Sequence, residues 1–136
     1  MENLIIEKTE SSFGIQFDCV NNTLKFEGES RPENCADFFA PLISWIEEYH
    51  NYIYFKINEY PDTKIIVTVD FNVDYFNSTS AKYILDLLIA LERVSHSPNV
   101  TLNVNWHYRS LDEDMLESGE EFADMTGIDI NLIAKD

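Results

Sequence analysis

The sequence predicts an α/β fold in which helices pack against one mixed sheet. Two observations lead to this prediction. Short segments that alternate apolar and polar residues, as half-buried strands do, come first in the chain. After residue 30, segments of helical periodicity alternate with strand-like segments, and such helices supply the crossovers that parallel strands require. The 136 residues suit one domain, 1–136, and no repeat or Pro/Gly-rich linker divides them.

The first strands are predicted as a short segment followed by a hairpin. The segment "LIIEK" is a short strand candidate, and "FGIQFDCV" and "TLKFEGES" flank an Asn-Asn turn. In the second strand of this hairpin, Leu24 and Phe26 are predicted to point inward. Lys25 and Glu27 then point outward.

The next segment, "SRPENCADFFAPLISWIEEYHNYI" (30–53), is predicted to be a helix. Ser30 and Glu33 have the spacing of a capping box, and Pro32 is tolerated in a first helical turn. Pro41 falls inside the periodic pattern, so we expect one helix with a local distortion. Its core face is predicted to hold Phe38, Leu42, Trp45, Ile46 and Tyr49.

The segment "KIIVTVDF" (64–71) is apolar and β-branched, which is typical of a central parallel strand covered on both faces. A helix follows directly after Asn77 and three consecutive hydroxyl residues, Ser78, Thr79 and Ser80. Its apolar stripe is predicted to comprise Ala81, Ile84, Leu85, Leu88, Leu91 and Val94.

The last third is predicted to contain a strand, an acidic helix and a final strand. These are "NVTLNVNWHY" (99–108), "LDEDMLESGEEFADMTG" (111–127), which Gly127 ends, and "IDINLIA" (128–134). The residues predicted to face the core are Val100, Leu102, Val104 and Trp106 on the strand, and Leu111, Met115, Phe122 and Met125 on the helix.

The charge balance restricts the classes of partner. There are 25 acidic and 9 basic residues, a formal net charge of −16, so nucleic acid and anionic membranes are poor partners. A basic surface on another protein suits this charge better. No apolar run could span a bilayer and no signal peptide is recognisable, so we expect no membrane insertion and a cytoplasmic protein.

No cofactor or metal is predicted. The two cysteines, Cys19 and Cys35, are too few for a disulfide framework and lack the spacing of metal ligands. The four glycines do not cluster, so the chain has no Gly-rich phosphate loop.

The hydroxyl turn, residues 77–80, allows three interpretations. A helix N-cap needs only one such side chain, and Asn77 or Ser78 could supply it, with the other hydroxyls solvated. A phosphate here would be stabilised by free backbone N–H groups and by the helix dipole. Because it would add roughly two negative charges, it could abolish a buried interface, which makes the turn suitable as a switch.

A catalytic nucleophile is the third interpretation. It requires a nearby base, and the candidates are His50, His96 and His107, of which only the last lies on a strand that could reach the turn. The turn lacks the G-x-S-x-G elbow of the hydrolases.

The acidic helix also has alternatives. It could be a solvated face, a loose divalent-cation site formed by Asp114, Glu117 and Glu121, a pair of carboxylates for acid/base chemistry, or a docking surface for a basic partner. Its carboxylates are Asp112, Glu113, Asp114, Glu117, Glu120, Glu121 and Asp124.

Three separated blocks of the sequence resemble the SiaC family of bacterial regulatory phosphoproteins. The blocks are "GESRPENCADFFAPLISWIEEY", "DYFNSTSAKYILDLL" and "VNWHYRSLDEDMLESGEEF", in the family's order and over most of the chain. The resemblance implies the STAS-like fold of the anti-sigma-factor antagonists and a function without catalysis. The motifs that match are Pro32-Glu33-Asn34, Phe76-Asn77 through Lys82, Trp106 with Tyr108, and Asp112-Glu113-Asp114-Met115 with Gly119-Glu120.

The resemblance also implies a set of partners. A SiaB-type kinase phosphorylates a hydroxyl in this turn, and a membrane-associated SiaA-type phosphatase reverses the reaction. The unphosphorylated form binds and activates a SiaD-type diguanylate cyclase, which leads to cyclic-di-GMP signalling and biofilm behaviour. The family's phosphothreonine position falls on Ser78, and a threonine follows at Thr79, so these are the predicted acceptors in that order.

The predicted partner-binding residues extend beyond the acceptors. Two other functions remain open: a small hydrolase that uses His107 or the acidic-helix carboxylates, and a STAS-like partner-switching regulator of another client. The partner-binding prediction comprises Glu33, Asn34, Asn77, Ser80, Lys82, Asp112, Asp114 and Glu117.

Overall fold

The computed structural model describes all 136 residues and contains six strands and three helices. Their order is three strands followed by three helix–strand units, which confirms the predicted mixed α/β fold. The elements are β1 (Leu4–Ile6), β2 (Gly14–Asp18), β3 (Thr23–Ser30), α1 (Cys35–Glu59), β4 (Ile65–Phe76), α2 (Ser78–Val94), β5 (Val100–Arg109), α3 (Glu113–Thr126) and β6 (Ile130–Lys135).

The six strands form one sheet in which the spatial order equals the chain order. Strands β1, β2 and β3 pair antiparallel, which confirms the hairpin, and β3 to β6 pair parallel. Each parallel connection contains a helix and advances to the next strand in the same direction. Because such crossovers are right-handed, helices added in one direction all lie on the same face of the sheet.

The prediction that the central strand is covered on both faces is therefore wrong. In β4, Val67, Val69 and Phe71 are fully buried against the helices. The alternate residues face away from them, and Ile66 is 63% exposed. The strand also continues to Phe76, beyond the predicted end at residue 71. The sheet thus has one helix-covered face and one open face.

The predicted start of the first helix is also wrong. Ser30 is the last residue of β3 and is fully buried, so it forms no capping box with Glu33. The cap is Asn34. Pro32 explains the shift, because a proline disfavours the helical region for the residue before it, here Arg31.

Helix α1 is otherwise close to its prediction. Pro41 lies inside a single continuous helix, which extends to Glu59 rather than ending at Ile53. Phe39, rather than the predicted Phe38, is fully buried, while Phe38 is only partly covered. The other predicted core residues of this helix, Leu42, Trp45, Ile46 and Tyr49, are buried.

Helix α3 is held on the sheet by a close contact with Trp106. The Trp106 Nε1–H donates to the Met115 carbonyl at 2.9 Å, and a Cβ atom on Gly119 would lie 2.6 Å from Trp106 Cδ1. Phe122 packs on the same ring, with the ring centroids 5.5 Å apart. Met115 and Phe122 are buried as predicted, and Gly127 ends the helix in the left-handed conformation.

Two residues of the last third were wrongly predicted to face the core. Leu111 is 95% exposed because it precedes the helix, which begins only at Glu113. Met125 is 59% exposed because it lies at the border of the narrow stripe that touches the sheet. None of the three helices is long and apolar enough to cross a membrane.

Candidate functional site

The hydroxyl turn lies where β4 ends and α2 begins. Asn77 is the N-cap, with extended backbone angles (φ −83°, ψ 173°), and its side-chain Oδ1 accepts a hydrogen bond from the Ser80 backbone N–H at 2.8 Å. Of the two candidate caps, the structure thus uses Asn77. The hydroxyl groups of Ser78 and Thr79 are therefore not used to cap the helix.

The three hydroxyl residues have different environments. Ser78 and Thr79 are exposed, whereas Ser80 is fully buried. Successive residues of a helix point about 100° apart, so three neighbours cannot all face the same surroundings. An enzyme approaching from solvent can reach the first two hydroxyls but not the third.

Ser80 anchors the turn to the rest of the fold. Its hydroxyl donates to the Ser30 carbonyl at 3.0 Å and lies 2.8 Å from the Ser30 hydroxyl. The Cys35 Sγ lies 3.6 Å away, and the Asn77 backbone N–H also donates to the Ser30 carbonyl. Because Ser80 is buried in these contacts, it is unavailable to a docking partner in this structure.

The hydroxyl turn borders a groove between α2 and α3, which we call the α2–α3 groove. Its volume is about 330 Å³. More than half of the residues that line it are apolar, so the exposed turn is continuous with an apolar depression. The lining residues are Phe76, Ser78, Ala81, Lys82, Leu85, Ser118, Glu121, Phe122 and Met125.

Lys82 is the cation nearest to Ser78 along α2. It is exposed, lines the same groove one helical turn after Ser78, and its Nζ lies 5.8 Å from the centre of the Tyr83 ring. Residues four apart on a helix are neighbours on its surface, so a group attached to Ser78 is within reach of this ammonium.

The predicted residues of the acidic helix divide into a cap and an exposed face. Asp112 is the N-cap of α3, and its Oδ1 accepts from the Met115 N–H at 3.0 Å. Asp114 and Glu117 are exposed, so both can reach a partner. No group of three or more His, Cys, Asp or Glu side chains in the chain is arranged to hold a metal ion.

Glu33 and Asn34 lie at the start of α1, and both are exposed. The Asn34 Oδ1 accepts from the Asp37 N–H at 3.2 Å, and its amide donates to the Asp37 carboxylate at 2.8 Å. The buried contacts of Ser80 with Ser30 and Cys35 bring the starts of α1 and α2 together, so these residues belong to the same end of the molecule as the hydroxyl turn.

His107, the candidate base of a hydrolase, lies on the open face of the sheet. Its Nε2 is 3.5 Å from the Asp70 Oδ1, and both residues line a depression of about 240 Å³ with Lys25, Glu27 and Asn72. This depression shares no residue with the α2–α3 groove. The sheet separates His107 from the hydroxyl turn, so they do not form a nucleophile–base pair.

Sequence reasoning missed the groove because it assigned its walls to the core. Leu85 belongs to the apolar stripe of α2 but is only partly buried, and Met125 is mostly exposed. Phe76 lay beyond the predicted end of its strand. Helical periodicity shows that a residue belongs to an apolar stripe but not whether it lies at the exposed edge of that stripe. No local signal in the sequence therefore identified the groove.

Comparisons with known proteins agree with this architecture. A family model described as SiaC family regulatory phosphoprotein matches residues 6–135. An uncharacterised protein of Pseudomonas aeruginosa (strain UCBPP-PA14) is 30% identical over 122 residues, which are 90% of this chain and 88% of that protein.

Solved structures of similar shape come from the same organism. SiaC of Pseudomonas aeruginosa matches with a TM-score of 0.80 and 26% identity, covering 99% of this chain and 100% of that one. A chain in the crystal structure of diguanylate cyclase SiaD in complex with its activator SiaC matches with a TM-score of 0.80 and 27% identity, covering 97% of this chain and 99% of that one.

Proposed function

Since the chain belongs to the SiaC family of regulatory phosphoproteins, we propose that it binds and activates a SiaD-type diguanylate cyclase and that phosphorylation of the hydroxyl turn prevents this binding. The observation that carries the proposal is the exposure of Ser78 and Thr79 on a turn whose next residue, Ser80, is fixed in the core. Two hydroxyls that can accept a phosphate are thus exposed to solvent, on a helix start that the core holds in a fixed position.

The physical basis of the switch is a change of charge at an apolar border. The unmodified turn carries neutral hydroxyls beside the α2–α3 groove, so a partner can cover it at little cost. A phosphate adds roughly two negative charges, which must lose water when a partner covers them. The carboxylate of Glu121, which lines the same groove, repels this phosphate, and the repulsion becomes stronger when a partner excludes water.

A SiaB-type kinase and a SiaA-type phosphatase are the proposed enzymes of the cycle, and the protein itself is the non-catalytic substrate and messenger. A cytoplasmic location for this cycle is part of the same proposal. The proposed partner surface combines the exposed part of the hydroxyl turn and Lys82 with Glu33 and Asn34 on one side and the acidic α3 on the other. Ser80 is left out of this surface because it is buried.

The test begins with phosphosite mapping. The purified protein is incubated with the kinase encoded at the same locus, and the modified peptide is identified by mass spectrometry. We expect the phosphate on the 77–80 turn; a phosphate found only elsewhere contradicts the switch.

A pull-down then identifies the client. The unmodified protein is expected to retain the diguanylate cyclase and to raise the rate of cyclic-di-GMP synthesis, and the phosphorylated protein to do neither. Retention of a different regulator in place of the cyclase would instead indicate a partner-switching protein with another client.

A further inference from the structure

We propose that a depression on the open face of the sheet binds a small zwitterion of the α-amino acid class. This open-face depression has a volume of about 240 Å³, and its polar lining includes Lys25, Glu27, Asp70, Asn72 and His107. It lies across the sheet from the hydroxyl turn and shares no residue with the α2–α3 groove. The site therefore goes beyond the proposed function and does not depend on it.

The strand register places four of these side chains at the corners of one square. Lys25 on β3 pairs with Asp70 on β4. Two residues further along the same strands, Glu27 pairs with Asn72. Residues two apart on a strand point to the same face, and neighbouring strands lie about 5 Å apart. On β2, Gly14 pairs with Glu27 and has no side chain, so the square is open on that side.

One diagonal of the square consists of hydrogen-bond acceptors, Asp70 and Glu27. The Asp70 Oδ1 accepts from the Asn105 side chain at 2.9 Å and lies 3.5 Å from the His107 Nε2, so this carboxylate is held in place. Its Oδ2 has no partner within the chain. The exposed Glu27 carboxylate forms no hydrogen bond or ion pair. An ammonium group between the two carboxylates would donate to both.

The other diagonal consists of hydrogen-bond donors, Lys25 and Asn72. The Asn72 Oδ1 accepts from the Lys135 ammonium, so its side-chain N–H groups remain available to a ligand. The Lys25 ammonium is exposed and forms no ion pair. A ligand carboxylate would accept from both donors. Because an α-amino acid carries its ammonium and its carboxylate on the same carbon, one small molecule can use both diagonals.

Other classes of ligand suit the open-face depression less well. The chain's net charge of −16 opposes an anion such as phosphate. A metal ion is opposed by Lys25, and no group of three or more His, Cys, Asp or Glu side chains is arranged to hold one. The one hydrophobic lining residue, Phe26, is 1% exposed, so an apolar ligand would gain little by binding. A zwitterion has no net charge and pairs with charges of both signs.

The first experiment is a thermal-shift screen of the isolated full-length chain with each proteinogenic L-amino acid at about 10 mM. We expect at least one to raise the Tm in a saturable manner, with a Kd on the order of 1 mM or tighter. The N-acetyl derivative of that amino acid lacks the ammonium, and its carboxamide lacks the carboxylate, so neither should bind. A screen without any rise in Tm, or equal binding of a blocked derivative, overturns the proposal.

Calorimetry then tests the site with the amino acid that raises the Tm most. Lys25→Gln removes the cation and Glu27→Gln removes a carboxylate; neither side chain has a partner within the chain, so both variants should fold. We expect each to weaken binding by about tenfold or more. The matched control is Lys64→Gln, because Lys64 is exposed and outside the depression. Wild-type affinity in both depression variants overturns the site.

A second measurement locates the ligand directly. The amide chemical shifts of isotope-labelled protein are followed while the same amino acid is added. We expect the largest changes around Lys25, Asp70 and His107, and no change at residues 77–80. The largest changes at any other surface overturn the site. Neither experiment involves the cyclase, so failure here leaves the proposed function standing, and failure of cyclase binding leaves this site standing.

Discussion

The Ser80 hydroxyl donates a hydrogen bond of 3.0 Å to the backbone carbonyl of Ser30, 50 residues earlier in the chain, and both residues are fully buried. The two hydroxyl oxygens also lie 2.8 Å apart. This contact joins the first turn of α2 to the end of β3. The exposed Ser78 and Thr79 are therefore carried by a helix start that the core holds in place.

Loss of this contact is expected to destabilise the fold. In Ser80→Ala the buried Ser30 hydroxyl loses its side-chain partner, which typically costs about 1–3 kcal/mol. Urea unfolding should show this loss. The control is Ser78→Ala, an exposed position where the free energy of unfolding should change by less than about 0.5 kcal/mol. Equal stability of the two variants would contradict a structural role for Ser80.

Removal of the acceptor hydroxyl should lock the protein in its binding form. We expect Ser78→Ala to abolish phosphorylation by the SiaB-type kinase and to leave both the fold and cyclase binding intact. Thr79→Ala should still be phosphorylated. Intact-mass measurement after kinase treatment distinguishes the variants, and the double variant controls for transfer of the phosphate to the neighbouring hydroxyl. Full modification of the double variant would place the acceptor outside these two positions.

Acidic substitution should imitate the phosphate only in part. Ser78→Asp adds one negative charge where phosphorylation adds roughly two, and its carboxylate is shorter and has fewer oxygens. We expect its affinity for the cyclase to lie between those of the unmodified and the phosphorylated protein. Calorimetric titration of the three species checks this order. Thr79→Asp is the matched control, since it adds the same charge outside the groove.

Substitution of Gly119 is expected to destabilise the fold, because α3 packs closely on Trp106 at this position. In Gly119→Ala the new Cβ would lie 2.6 Å from Trp106 Cδ1 and 2.7 Å from Leu132 Cδ2, so α3 must move away from the sheet. We expect a loss of about 1–3 kcal/mol in the free energy of unfolding, larger than the gain in helix propensity. Urea unfolding measures the change. Glu120→Ala, an exposed position on the same helix, should show no such loss.

Asp18, in the hairpin turn, is expected to make a pH-dependent contribution to the stability of the fold. The Asn21 backbone N–H, as the largest influence, holds the pKa of the Asp18 carboxyl below its ordinary value of 3.8, with help from the Asn21 side chain. A lowered pKa in the folded protein means that the charged carboxylate favours folding. This contribution is complete above pH 3.8 and is lost as the pH falls through the lowered value.

We therefore expect Asp18→Asn to be less stable than the wild type at pH 7, and the difference to shrink as the pH falls below about 4. Unfolding titrations at several pH values check this trend. The same substitution at the exposed Asp62, which forms no side-chain hydrogen bond, should leave the profile unchanged. A difference that grows with acidity would contradict the sign of this effect.

Local sequence signals were sufficient for the elements and several of their ends. Alternation predicted the hairpin and helical periodicity predicted α2. Asn77 caps the start of α2 through its side chain, and Gly127 ends α3 through its backbone preference. The start of α1 failed because two local signals competed: Ser30 and Glu33 have capping-box spacing, but Pro32 prevents the helix from beginning there.

Composition and short-range periodicity were enough to predict the α/β order of elements, the acidic surface and the presence of a hydroxyl turn. Three further features became visible only in the folded chain: which sheet face is covered, the burial of Ser80 beside two exposed hydroxyls, and the groove that α2 and α3 leave open at Ser78. These features depend on the direction of successive crossovers and on the rotation at which each helix packs on the sheet. Both are settled by contacts between residues distant in the chain, which no local pattern records.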